Sequence, residues 1–568
     1  MFGFLFKKLQ FWQLLNQRNS GKQNGNWQKS SQTSLSRDLK ENLKVLKSIL
    51  GTSNDIVIRE FSFGYDEKIN ASIIFVDGLT DRMTINESII KPLMYDTHLF
   101  DSRELLTTNN IDIIQKSMLS VGDVKIVTSL DDVIDGCLSG DTVLLINGSD
   151  QALVISSRGW ESRGIQEPKT EAVVRGPREG FTETLRSNTS LLRRKIRNPD
   201  FILENMQLGQ RTKTDICIAY LKGVVNPKLV EEVKYRLKKI NTDAILESGY
   251  IEQFIEDAPF SPFATIANSE KPDVIAGKLL EGRVAILVDG TPMVLTVPMV
   301  FIESFQTSED YYSRPFYTSI LRTLRFISFF ITILAPGVYV ALTTFHQEFI
   351  PTPLLITMAA AREGTPFPAV VEAIVMGIVY EILREAGIRL PRPVGSAISI
   401  VGALVIGEAA VSAGLIGAPV VIVVALTAIS SFVVPAQSDT AALGRVIITI
   451  SAGALGAFGI IIILLAGLIH LCTLRSFGTP YFSPLAPLSF RDLKDVFIRL
   501  PIWAMFTRPR TIGWHDPQRQ EFRQIPAPPQ DSEKVEQPQG EPENNSNMKS
   551  QTGVQGLKRP RKIGNKDT

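Results

Sequence analysis

The rhythm of apolar and polar positions changes twice along the chain. From Leu39, apolar residues return at helical spacing (Leu43, Leu46, Ile49), which predicts a helix ending at Gly51. Strand-like runs follow at Ile56–Ile58, Ser72–Val76, Lys125–Val127 and Thr142–Ile146, with helix-like stretches between them. From Leu324 to Thr473 charges nearly vanish, and apolar residues, Gly and Ala dominate. A membrane-spanning helix needs about 20 mostly apolar residues. Leu324–Thr344, Pro368–Leu383, Ser396–Leu415, Pro419–Ala436 and Val446–Leu474 are the candidates. Pro351–Ala361 is too short to span and reads as re-entrant or interfacial. Pro336-Gly337 predicts a kink or break in the first span, because proline removes a backbone donor.

Two stretches of the front half resemble each other. Gly140–Gly148 followed by Ala152–Ile155 matches Gly282–Gly290 followed by Val294–Val297. Each reads as strand, tight turn, strand, with Asn147-Gly148 and Asp289-Gly290 supplying the positive φ of a primed hairpin turn. Ser72–Gly78 and Asp215–Gly223 match upstream, each before a helix. The fold class predicted is an α/β soluble N-terminal region of two related subdomains, then an all-α polytopic transmembrane domain. The boundaries expected are an N-terminal segment 1–38, disordered or interfacial; a first subdomain 39–160; a connecting segment 161–210; and a second subdomain 211–312. The transmembrane domain follows at 313–475, a cytoplasmic juxtamembrane segment at 476–512 and a disordered tail at 513–568.

Composition adds little beyond this division. The chain has 568 residues and a formal net charge of +2, which points to no nucleic-acid partner. Cys137, Cys217 and Cys472 are too scattered for a disulfide framework or a metal site, and the first two read as buried thiols. The N-terminus has no signal-peptide pattern, because Lys7 and Lys8 interrupt a short aromatic stretch; the front half is expected to stay in the cytoplasm. Arg314, Arg322 and Arg325 before the first span agree with that orientation. Five spans would put the C-terminus outside, yet Arg491, Lys494, Arg499, Arg508 and Arg510 argue for inside. Either one segment only dips into the bilayer, or Pro351–Ala361 contributes to a further crossing.

No nucleophile with its base, no framed carboxylate pair and no metal-ligand cluster is legible, so neither an enzyme nor a cofactor is expected. Gly176 and Gly180 lack the Gly-Lys-Ser/Thr ending of a phosphate loop. The basic run Leu191–Arg197 reads as a solvated helix face, the alternative being contact with anionic lipid headgroups. Ionisable groups inside a bilayer are costly and usually face a cavity or a partner. Glu372 and Glu408 are therefore the candidate ion-path or intramembrane polar residues. Glu381 falls on the opposite face of its helix from Glu372, near Arg384, and reads as an interfacial ion-pair residue. Small residues beside Glu408 (Gly407, Ala410, Gly414) and in the last span (Gly453, Gly456, Gly459) favour close helix packing, with a hinge as the alternative in the last span.

Longer motifs carry a family resemblance. Arg175–Glu183 (RGPREGFTE) with Arg193–Pro199 resembles the A subunit of GerA-family spore germination receptors. Asp243–Glu252, Pro259–Pro262, Glu281–Gly290, Arg362–Pro368, Arg389–Pro393, Ile406–Val411 and Pro480-Tyr481 extend the match in family order. The resemblance implies a multi-pass protein of the spore inner membrane and, as partners, a transporter-like B subunit carrying the nutrient site and a lipoprotein C subunit. It further implies a homo-oligomeric subunit that conducts monovalent cations when nutrient binds. A secondary transporter and a non-conducting membrane scaffold are the competing readings.

Overall fold

The computed structural model describes residues 34–64, 69–95, 110–159, 167–168, 171, 173–389, 407–513 and 516–521. The first element, α1 (Leu39–Leu50), is amphipathic and starts at Asp38, whose side chain accepts from Lys40 N. The first unit then runs β1 (Ile56–Phe63), β2 (Ile69–Val76), β3 (Val124–Val127), α2 (Leu130–Leu138), β4 (Thr142–Ile146) and β5 (Ala152–Ile155). The second runs α3 (Leu185–Lys195), β6 (Phe201–Leu208), β7 (Thr214–Leu221), α4 (Pro227–Lys239), α5 (Ser248–Ile255), β8 (Ala267–Ser269), α6 (Pro272–Leu280), β9 (Val284–Val288) and β10 (Val294–Val297).

Both sheets are antiparallel and share one strand order, β1-β2-β4-β5-β3 and β6-β7-β9-β10-β8. β4 and β9 are buried along their whole length because helices cover both sheet faces. Side-chain alternation divides each strand between two cores. Val143 and Leu145 meet α1 and α2, whereas Leu144 and Ile146 face the opposite core.

The likeness of the two units reaches single hydrogen bonds. Asn42 accepts from Ser36 N (2.9 Å) and donates to Ser36 O (2.6 Å); Asn188 does the same with Thr182 (2.7 and 2.6 Å). Asn147 Oδ1 accepts from Leu39 N at 3.2 Å, and Asp289 Oδ1 from Leu185 N at 2.9 Å. Gly148 N donates to Arg37 O as Gly290 N does to Glu183 O. The second unit therefore begins near Phe181, inside the stretch expected to be only a connecting segment. The turns also differ from expectation. The loops span 147–151 and 289–293, and only the glycines take positive φ there, so these are longer loops whose Asn or Asp side chain accepts from the first N–H of the helix that opens its own unit, α1 or α3. A side-chain cap and a primed turn draw on the same residue types, so sequence alone does not separate them.

The basic run is a solvated face only in part: Lys195 and Arg197 are exposed, but Arg193 is not. Arg193 on α3 is fully buried and makes a bidentate pair with Asp55 (2.8 and 2.9 Å), with a further bond to Ser53 Oγ at 2.9 Å. Leu203 N donates to that same Ser53 Oγ, and Asn54 N donates to Leu203 O, so this cluster joins the two units. Arg194 and Lys195 turn back to Glu179 at 3.5 Å.

On α5, burial and the neighbouring Glu256 and Glu247 push the Glu252 carboxyl up to about 7. A carboxyl raised in the folded state binds more protons than the unfolded chain between its ordinary value and pH 7, so stability falls as pH rises through that window. Glu252→Gln should raise the melting temperature of the purified full-length protein at pH 8, by the equivalent of about 2 kcal/mol. It should change nothing below pH 4.5, the ordinary carboxyl value.

The apolar half contains α7 (Pro315–Thr344), α8 (Thr352–Ala360), α9 (Ala369–Arg389), α10 (Ala418–Ser431) and α11 (Ser438–Thr473). α7 runs unbroken through Pro336, so the expected break is absent. Among the described residues, two stretches, Pro315–Thr344 and Pro435–Thr473, are long and apolar enough to cross a membrane. The expected span Ser396–Leu415 lies mostly outside the described residues; its end is helical over 407–412.

α11 is not the single span expected from Val446–Leu474. At Gly456 the backbone takes φ 61°, ψ −144°, and the chain folds back on itself. Three contacts establish the hairpin. Thr440 near its start donates to Pro262 O, while His470 near its end bonds the adjacent Ser261 Oγ at 2.9 Å. Gly459 lies against the carbonyl of Ser451, which a straight helix would hold far away. At the tip, Ala457 N donates to His346 Nε2 at 3.2 Å, just beyond the far end of α7. Each leg, 438–455 and 457–473, is about 25 Å long at 1.5 Å per residue.

Candidate functional site

The two halves meet in a buried ion network. Arg322, fully buried one turn and more into α7, donates to Asp310 Oδ2 (2.9 Å) and to Asp495 Oδ1 (2.6 Å). Arg325 also grips Asp310, at 2.9 and 2.8 Å. Tyr311 donates to Asp495 Oδ2 at 2.8 Å, and burial followed by the Asp495 charge raises its phenol well above its ordinary range. Arg499 donates to Ser313 O and Tyr311 O. In the sequence these arginines are flanking charges; in the fold Arg322 and Arg499 are buried structural anchors. Beside them, Phe305 stacks on Phe326 at 4.0 Å, and Phe301 meets Phe329, Tyr481 and Phe482.

The segment after α11 is a strap along this junction. Ser476 Oγ donates to Thr265 O at 2.6 Å, Phe301 N to Tyr481 O, and Arg508 Nε to Leu280 O at 2.8 Å. Arg508 also holds Asp516 at 2.8 Å, so folded chain continues past the expected start of the tail at 513. Strap and second unit enclose a charged cavity of ≈ 80 Å³ lined by Glu281, Arg283, Glu303, Asp492 and Lys494. Burial raises Glu281; at Glu303 burial works the same way, but Arg283 and Lys278 outweigh it and hold that carboxyl down.

Within the helices, Glu372 sits in the first turn of α9, fully buried. It accepts from Thr365 Oγ1 (3.1 Å) and Gly417 N (3.2 Å), and Arg362 lies 3.6 Å away. One carboxylate thus ties the turn before α9 to the start of α10. Glu408 is exposed, as are Ala409, Ser412 and Ala413, and it makes no ion pair among the described residues. Glu372 and Glu408 share no bond. Glu381 pairs with Arg384 at 2.8 Å, as the spacing predicts, and also with Arg445 on α11. Arg445 precedes the expected span Val446–Leu474 by one residue, so nothing local marks it as a partner of Glu381. Cys137 and Cys217 are buried, and burial pushes the Cys137 thiol up to about 12.

The architecture defines a class: a duplicated α/β unit fastened by buried charge to an apolar helical bundle. Comparison with known proteins narrows it. The family model for the Bacillus/Clostridium GerA spore germination protein matches residues 44–511. Spore germination protein KA of Bacillus subtilis is 48% identical over 87% of this chain and 90% of its own length. The uncharacterized membrane protein YfkQ of the same organism is 41% identical over 87% of this chain and 94% of its own. A crystal structure of the N-terminal domain of the A subunit of the Bacillus megaterium spore germinant receptor GerK3 is 38% identical. It covers 47% of this chain and 98% of that one, with a TM-score of 0.38. The chain belongs to the GerA family of spore germination proteins, as its motifs indicated.

Proposed function

We propose that this chain is the A subunit of a nutrient-responsive germination receptor, crosses the spore inner membrane several times, and forms the ion-conducting oligomer of that receptor. Family membership supports the germination role. The observation that carries the conducting role is Glu408: a carboxylate exposed beside Ala409, Ser412 and Ala413 on an otherwise apolar bundle. A bare charge facing lipid is costly, whereas the same face turned toward a water-filled axis shared by several copies attracts cations. Glu372, buried and paired, would hold the mouth of that path by fastening Arg362 to Gly417.

Topology supports the same reading. α7 leaves the ion network and ends at Thr344, just before His346; α9 returns, because Val370 lies against Gly453 near the hairpin tip while Glu381 meets Arg445 toward its base. α10 likewise starts beside Glu372, which accepts from Gly417 N, and leads to Gln437, which donates to Ser304 at the junction. The hairpin adds two crossings where one was counted, and the strap then ends on the same side as the α/β units. The partners are a transporter-like B subunit and a lipoprotein C subunit, with lipid around the bundle.

Reconstituting the chain with these partners should give nutrient-dependent K⁺ or Na⁺ flux. Glu408→Gln should lower that flux several-fold and weaken cation over anion selectivity. Flux unaltered by Glu408→Gln and by Glu372→Gln would remove both residues from the path, and absent flux in the intact complex would remove the channel.

A further inference from the structure

Two motifs of the second unit, Asp243–Glu252 and Pro259–Pro262, have no part in the Arg322 ion network. They carry exposed aromatics. Phe260 is 101% exposed at the tip of a tight turn closed by Ser261 N to Ala258 O. On α5, Tyr250 and Phe254 stand one turn apart on a common face and are 44% and 56% exposed. Burying large aromatics is a strong stabilising term, so three left bare within one short stretch of chain call for a covering surface.

Their position identifies the cover. Ser261 bonds His470 at the base of the second hairpin leg, and Pro262 O accepts from Thr440 at the base of the first. The turn is thus wedged between both legs where they leave the apolar layer. Phe263 points inward onto Phe301, His470 and Tyr481, while Phe260 points out. The end of α5 is tied to the same place, since Asp257 accepts from Phe477 N and Arg236 lies 4.2 Å over the Phe477 ring. Arg475, the second residue after the helix, is exposed beside them. Aromatics with a basic neighbour at the ends of crossing helices match the headgroup layer of a bilayer.

We propose that Phe260, with Phe254 and Tyr250, is a membrane-surface anchor that inserts into the lipid headgroup layer and fixes the second α/β unit against the bilayer. This rests on the reading that the α11 hairpin crosses the membrane. The anchor would hold the second unit directly, independently of the Arg322 network.

The test uses full-length protein in phosphatidylethanolamine–phosphatidylglycerol vesicles, with nitroxide labels on single cysteines in a Cys472→Ala background. Cys137 and Cys217 are buried and do not compete for the label. Labels go at Phe260→Cys, at Leu465→Cys on the lipid-facing second leg and at Lys125→Cys on an exposed strand. Phe260 is bare, so its substitution disturbs no core. The expected result is a Phe260→Cys label relaxed by oxygen and shielded from a water-soluble nickel reagent, as at Leu465→Cys. Nickel access equal to that at Lys125→Cys overturns the anchor. Shielding from both reagents, with broadening relieved by unlabelled protein, overturns it in favour of a second copy. Nickel access at Leu465→Cys would instead bring down the crossing itself, and the anchor with it.

Discussion

Arg193→Met should destabilise the α/β half by about 3–5 kcal/mol, the usual cost of removing one partner from a buried ion pair. The side chain is fully buried and holds Asp55 through both carboxylate oxygens. Methionine fills much of the volume but leaves Asp55 with only the Ser53 hydroxyl, and removes one of the two donors to Asn198 O, the Phe201 N–H remaining. The loss should appear as a lower melting temperature of the full-length protein and as new protease sensitivity between the two units near residues 53–55. A paired Arg193→Met, Asp55→Leu variant should recover much of the loss, since no stranded charge remains. Unchanged stability in Arg193→Met would show that the two units are held by their apolar faces alone.

Gly456→Val carries the second large effect. The φ, ψ pair at Gly456 lies in a region that side-chain-bearing residues reach only at a cost of about 1–3 kcal/mol. A Cβ there would also stand 2.9 Å from Phe345 Cβ and 3.0 Å from His346 Nε2. Valine should therefore open the hairpin and lower the yield of folded protein in detergent. Thiol labelling checks the fold behind this expectation. Asp439→Cys at the base of the first leg and the native Cys472 at the base of the second are both exposed. In sealed vesicles an impermeant reagent should reach both from the same side. Opposite sides would mean a single span and no hairpin.

The hairpin shows where sequence reading stops. Val446–Leu474 is apolar throughout, and hydropathy responds to composition and length alone. Gly456 was visible as one of three glycines, but Gly453 serves packing against Val370 and Gly459 packing against Ser451. Which of the three turns the chain depends on His346, more than a hundred positions earlier, accepting the freed N–H of Ala457. The opposite outcome holds at Pro336, where the missing donor is local and the helix continues because α10 and α11 pack around it.

Glu372 and Glu408 were equally legible as carboxylates in apolar sequence, yet their surroundings separate them: one is closed in by Thr365, Arg362 and Gly417, the other bare. By itself the sequence determined the division into an α/β half and an apolar half, the duplication and the family. Each of these is written in local composition, in spacing along the chain or in contiguous motifs. Only the tertiary structure decided that Arg193 and Arg322 are buried anchors, that the last apolar stretch doubles back, and that the C-terminal strap returns to the α/β units. A charged side chain carries no local mark of the distant partner that lets it be buried, and that partner is supplied only when the chain folds.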